Sequence, residues 1–221
     1  MSRWISLIAG SHHRKTRFHD EKGNLVDAGG VLYAVPAFFS ALIKVIFGYR
    51  PLRPMISYRA QREIARLIRP EWNVAEFGSG QSTPWLARRC ARLLSIEDNP
   101  DWFARVQALL AKEGIKNARH ELRDGASYAR LDDIPDSAFD FALIDGSDRA
   151  GCIAAVLPKL KPGGWIYLDN SDKDMLTADG DLRKAEAALI AAAATRNGAI
   201  RYFSDFSPTN FFVERGMLAR L

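Results

Sequence analysis

Glu76-Phe77-Gly78-Ser79-Gly80-Gln81-Ser82-Thr83 lies between a short apolar stretch, Asn73 to Phe77, and a segment with helical character that carries Pro84 in its first turn. The order predicts a strand, a tight turn and a helix. Glycine at 78 and 80 lets the backbone turn sharply and pass close to a ligand. In an open α/β sheet, ligands lie beyond the carboxyl ends of the strands, and this loop is at such an end. A ribose diol, with two hydroxyl donors, is matched by a carboxylate at the end of the next strand. Glu97 stands there, 21 residues after Glu76. Ser82 takes the place of the third glycine of a dinucleotide fingerprint, which argues against a pyrophosphate on the helix N-terminus and against an NAD-dependent oxidoreductase.

Outward from this loop the chain alternates. Leu93–Ile96, Ala118–Leu122, Phe139–Ile144 and Trp165–Leu168 read as strands. Helices are predicted over Ser57–Arg69, Pro100–Gly114, Arg149–Leu157 and Asp181–Thr195. Phe139–Ile144 is almost continuously apolar, the pattern of a strand buried on both faces. Lys161-Pro162-Gly163-Gly164 reads as a turn. The last two strands, Ala199–Phe203 and Asn210–Glu214, have no crossover helix between them and should pair antiparallel. The fold class is therefore α/β, a doubly wound sheet, preceded by an N-terminal helical extension. We divide the chain into an extension, 1–56, and a Rossmann-like domain, 57–221.

The 221 residues suffice for one domain with a full core. Two cysteines, Cys90 and Cys152, are too few for a disulfide framework and lack metal-ligand spacing, so we expect reduced thiols and a cytoplasmic setting. Residues 1–72 hold 12 Lys+Arg against 5 Asp+Glu, and the remainder holds 19 against 21. The basic surplus thus precedes the motif-bearing part, unlike a nucleic-acid reader with its cations on the recognition fold. Residues 1–30 read as irregular or loosely attached, and Trp4–Gly10 is no secretory signal, because the basic cluster follows it. Val31–Tyr49 reads as an apolar helix interrupted by Pro36, Ser40, Lys44 and Gly48. We expect it to serve as a lid or as a homodimer or partner surface. A peripheral membrane contact through 31–53 is the alternative, and Lys44 disfavours a true span.

Glu-x-Gly-x-Gly, the acidic end of the second strand, Phe139-Asp140-Phe141-Ala142-Leu143-Ile144-Asp145 and Leu160-Lys161-Pro162-Gly163-Gly164 together resemble the motif series of class I S-adenosylmethionine-dependent methyltransferases. The resemblance covers roughly residues 57–214. More narrowly, Glu76 to Trp85, Ser95-Ile96-Glu97 and Asp145-Gly146-x-x-Arg149-x-x-Cys152 look like a bacterial subgroup whose members mostly lack an assigned acceptor. The resemblance implies a seven-stranded sheet ordered 3-2-1-4-5-7-6 with strand 7 antiparallel, and S-adenosylmethionine as cofactor. It implies that Glu76, Phe77, Gly78, Ser79, Gly80, Ser82 and Thr83 form the cofactor loop and that Glu97 with Asp98 meets the ribose. Asp124 and Gly125 would approach the adenine, and Asp145 would face both the sulfonium and the acceptor. Asp124-Gly125 also suits a plain turn.

Methyl transfer needs proximity and an in-line approach, with a base only where the acceptor loses a proton. Asp145, Arg149 and Asp169 are the candidate catalytic residues. Asp145, Asp169 and Asn170 are hard oxygen ligands that would suit Mg²⁺, an arrangement resembling catechol O-methyltransferase-like enzymes. The lysine those enzymes carry after the first aspartate is absent, and Arg149, a cation, lies there instead, so no metal is expected. Arg149 reads either as a clamp for an anionic substrate or as a structural residue at its helix start. His12, His13, His19 and His120 read as structural or solvated. The fifth-strand end, Asp169-Asn170-Ser171-Asp172, lacks the Asn/Asp-Pro-Pro-aromatic signature of amino methyltransferases, and no nucleic-acid partner is expected. The reading is an enzyme that methylates a small-molecule oxygen or nitrogen. A catalytically silent module of the same fold is its rival.

Overall fold

The computed structural model describes residues 14–221 except Ala178. His12, His13 and Trp4–Gly10 lie outside the described residues. Seven strands form one sheet: β1 (Asn73–Phe77), β2 (Arg92–Glu97), β3 (Ala118–Leu122), β4 (Phe139–Ile144), β5 (Leu160–Leu168), β6 (Ala199–Ser207) and β7 (Asn210–Arg220). Their order is β3-β2-β1-β4-β5-β7-β6. β7 runs antiparallel to both neighbours, and the other pairs are parallel. This is the sheet the resemblance implies. In chain order the helices are α1 (Ala28–Val31), α2 (Ala34–Phe47), α3 (Tyr58–Leu67), α4 (Ser82–Ala87), α5 (Pro100–Lys112), α6 (Arg149–Val156) and α7 (Asp181–Thr195).

The period of two along the central strands sorts their side chains into two cores. Ala75, Phe77, Ala142, Ile144, Ile166 and Leu168 pack with Cys152, Ile153, Val156, Leu182 and Leu189 of α6 and α7. Val74, Phe141, Leu143 and Tyr167 pack on the other face with Ile64 of α3 and Leu86 of α4. Both cysteines are free and buried.

Three boundaries differ from the sequence reading. The expected turn at Lys161–Gly164 is taken up into an irregular start of β5, where Gly163 has φ +78° and donates its N–H to the carbonyl of Leu221. β6 and β7 both run past their expected ends, meeting in a tight loop at Thr209. The added part of β6 carries Ser204, Asp205 and Ser207, and Asp205 is buried against Arg59 at 2.8 Å. A buried ion pair leaves no apolar periodicity to read.

The extension is the third difference. Residues 14–27 are largely irregular, as expected, but they are not loose. The N–H of Val213 donates to the carbonyl of Arg17, and Asp20 is buried with the amide of Asn24 at 2.8 Å. Val26, Ala37 and Tyr58 share a small core with Phe206 and Val213 of the β6–β7 hairpin. The helix expected over 31–49 is broken at Leu32-Tyr33 into α1 and α2, and the left-handed Gly48 ends α2.

Candidate active site

The turn after β1 works because residue 78 has no side chain. Gly78 has φ +91°, and a Cβ there would come within 2.7 Å of the backbone of Gly146. The loops after β1 and β4 therefore pass each other nearly in contact. Asp145 N–H donates to the carbonyl of Phe77 at 2.9 Å, and Gly78 N–H to that of Ile96 at 2.9 Å, which ties the ends of β4, β1 and β2 together.

Glu76 anchors this turn from behind. It is fully buried, and one oxygen accepts from Thr83 Oγ1 at 2.8 Å and from Ser95 Oγ at 2.6 Å. Thr83 Oγ1 also accepts from Gly80 N–H at 2.9 Å. Burial raises the Glu76 carboxyl to about 7. Its other oxygen, Oε1, has no partner among the described residues. Ser82 and Thr83 sit in the first turn of α4, and Gln81, whose side chain makes no capping bond, takes the cap position. Glu97 is buried at the end of β2. Its Oε2 accepts from the N–H and Oγ of Ser79 at 3.0 and 2.9 Å, and its Oε1 from the N–H groups of Asp98 and Asn99 at 3.2 and 3.0 Å. Asn99, not Glu97, caps α5.

Gly78 through Ser82, Glu97, Asp145 and Gly146 line a cleft of about 230 Å³, together with Met55 and Trp102. The last two were not expected. Trp102 Nε1 donates to the carbonyl of Ser79 at 2.6 Å, so α5 braces the glycine loop. Met55 reaches in from the extension, and no pattern near it in the sequence marks it. Glu76, Phe77 and Thr83 form the base of the loop and do not line the cleft. Neither does Asp98. Asp124 and Gly125 are also outside it, in a short 3-10 turn where Asp124 Oδ1 accepts from Ser127 Oγ at 3.0 Å.

The acidic end of the cleft is a coupled pair. Asp169, buried, hydrogen-bonds to Asp145 and accepts from Tyr167 Oη at 3.3 Å. Burial and the neighbouring carboxylates Asp145 and Glu214 push Asp169 well above the carboxylate range. Burial also raises Asp145, opposed by Arg149 at 3.2 Å. Asp169 is the more buried of the two, and its carboxyl is pushed up further. Lys173 Nζ donates to Asn170 Oδ1 at 2.8 Å and adds a cation that the sequence reading missed.

Arg149 is engaged from several sides. Its Nε donates to the carbonyl of Gly146 at 2.9 Å and one terminal nitrogen to that of Asp169. The other reaches the carbonyl and side chain of Asp145 at 3.2 Å each, and Asn170 Oδ1 at 3.4 Å. A guanidinium so engaged knits the loops after β4 and β5 together and has no edge left to clamp a substrate. These bonds favour the structural one of its two readings. Its charge also lies between Asp145 and Asn170, where a metal ion would have to sit. His120 stacks on Phe103 at 4.3 Å, and burial lowers it to about 4, so it is a neutral packing residue.

Residues 75–171, which contain the glycine loop, Glu97, Asp145 and Asp169, match the family model described as a methyltransferase domain. Over this stretch the chain is similar to methyltransferase domains, and its sheet has the class I methyltransferase order. Solved structures share its fold. A putative O-methyltransferase from Klebsiella pneumoniae is 20% identical with a TM-score of 0.63, covering 87% of this chain and 99% of its own. The O-methyltransferase of Bacillus cereus, in complex with S-adenosylhomocysteine (SAH), is 17% identical with a TM-score of 0.60, over 85% and 98%. An rRNA methylase from Streptococcus thermophilus is 17% identical with a TM-score of 0.55, over 78% and 98%. Among curated proteins, the sensor protein GacS of Pseudomonas syringae pv. syringae is 28% identical over 109 residues, 49% of this chain; the match spans 11% of that protein's length.

Proposed function

We propose that this methyltransferase domain binds S-adenosylmethionine and methylates a hydroxyl or amine of a small molecule. The observation that carries the reading is the single cleft lined by the Gly78–Gly80 loop, Glu97 and Asp145. The residues fit the cofactor. Gly78 and Gly80 bring bare backbone to the cleft, and Glu97 presents a buried carboxylate there at the end of β2, suited to a ribose diol. Glu97 already takes four donors, so a ribose diol would replace the Ser79 hydroxyl on it.

Bound S-adenosylmethionine supplies a methyl group activated by its sulfonium. Asp145, with Arg149 beside it at 3.2 Å, orients the acceptor by accepting its hydrogen bond. It takes up the proton as the acceptor is methylated. Met55 and Trp102 narrow the cleft and restrict water, which favours a small acceptor over a folded nucleic acid.

Incubation with methyl-labelled S-adenosylmethionine and a cell extract, separated into small-molecule and RNA fractions, tests this. Label is expected among the small molecules. Label in RNA would overturn the acceptor class, and label in neither would leave a catalytically silent module.

A further inference from the structure

α2 is inside out for a helix on a protein surface. Its packed face is the small and polar one. Ala37 and Ala41 are buried, Ser40 Oγ accepts from Thr209 N–H at 2.9 Å, and Lys44 Nζ donates to the carbonyl of Thr209 at 3.4 Å. The large apolar side chains point away. At 100° per residue, Val35, Phe39, Ile43 and Ile46 fall within one sector of about 80° opposite Ala37 and Ala41. They are 62%, 56%, 42% and 52% exposed, and Phe47 beside them is 76% exposed. A continuous apolar stripe on an otherwise well-packed chain marks an interaction surface.

The charge around the stripe selects its occupant. Residues 28–62 contain Lys44, Arg50, Arg53, Arg59 and Arg62 and no Asp or Glu. Arg59 is already paired with Asp27 and Asp205, but in a twofold dimer the patch meets itself and Arg50 and Arg53 would face their own copies. An anionic bilayer surface complements both the stripe and the cations. The stretch 28–47 is long and apolar enough by composition to cross a membrane. Two observations oppose a span. α2 itself has 14 residues, about 21 Å of helix against a hydrocarbon core of about 30 Å. Ser40 and Lys44 are also committed to the protein body, leaving one face to offer.

We propose that α2 lies in the headgroup layer of an anionic membrane, its apolar stripe inserted and Arg50 and Arg53 at the phosphates. The helix is held by the part of the β6–β7 hairpin that projects beyond the carboxyl end of β5, where Leu168 pairs with Met217. That is the end of the sheet where the cleft lies. The proposal does not depend on methyl transfer.

Co-sedimentation of the full chain with vesicles of phosphatidylcholine, with and without phosphatidylglycerol, tests it. Binding is expected to be at least ~tenfold stronger with phosphatidylglycerol, the scale of one or more basic side chains at an anionic surface. The Phe39→Glu/Ile46→Glu double variant, altered only at exposed positions and checked for an unchanged melting temperature, should lose binding by at least ~tenfold. Absence of vesicle binding, or equal binding by the variant, would overturn the proposal. So would a solution dimer that the variant splits while vesicles go unbound, which would assign the stripe to a second copy. Retention in vesicles through alkaline carbonate washing would instead show a span.

Discussion

Arg149 joins the carbonyls of Asp145, Gly146 and Asp169 to the side chains of Asp145 and Asn170, so its loss unties two loops and leaves a buried carboxylate without its cation. Arg149→Ala should cost about 3–5 kcal/mol of stability by urea denaturation, the scale for breaking a buried pair. Arg149→Lys should recover little of it, since a single ammonium cannot span acceptors on two loops. Because that guanidinium bridges Asp145 and Asn170, turnover should survive EDTA. Loss of activity restored by Mg²⁺ would make those oxygens metal ligands. Gly78→Ala should cost more than ~1 kcal/mol in a thermal melt, since the left-handed φ and the contact with Gly146 both oppose a side chain. Glu76 gives a pH signature. Its folded carboxyl is raised to about 7, above the ordinary carboxylate value of 4.5. Its contribution is then fully present below about pH 4.5 and falls away as pH rises toward 7, where the folded state must hold a buried charge. Glu76→Gln should flatten this part of the stability–pH curve, measured by denaturation between pH 4.5 and 8. An unchanged slope would mean that Glu76 ionises freely in the fold.

At the scale of elements, what was legible in the sequence is what local rules control. The glycine turn and the buried β4 follow from backbone sterics and an apolar run, and both are where the pattern puts them. The role of Arg149 was not legible: a guanidinium beside two aspartates reads alike as clamp or brace until the carbonyls of both loops are located. Lys173, Trp102 and Met55 come to the site from three separate segments, and only tertiary packing brings them there. α2 shows the same limit. The residues that interrupt its apolar run include Ser40 and Lys44, and these face inward because Thr209 offers them its N–H and its carbonyl.

Taken as one body, the extension belongs to the fold it precedes. Arg59 binds both Asp27 and Asp205, Lys22 binds Glu186 of α7, and Arg14 reaches Asp172 at 3.7 Å. Removal of residues 1–56 would strip the small core around Phe206 and Val213 and leave Asp172 without Arg14. The truncated chain should therefore melt well below the full chain, by circular dichroism, and lose Met55 from the cleft. Equal melting temperatures would restore the picture of a detachable segment. The whole account rests on the cleft being a cofactor site. Calorimetric titration of the full chain with SAH and, separately, with NAD measures this directly. It should show SAH binding weakened by roughly 1.5–3 kcal/mol in Glu97→Ala, the scale for losing hydrogen bonds to a charged group, and no binding of NAD. NAD binding, or SAH affinity unchanged in Glu97→Ala, would contradict it.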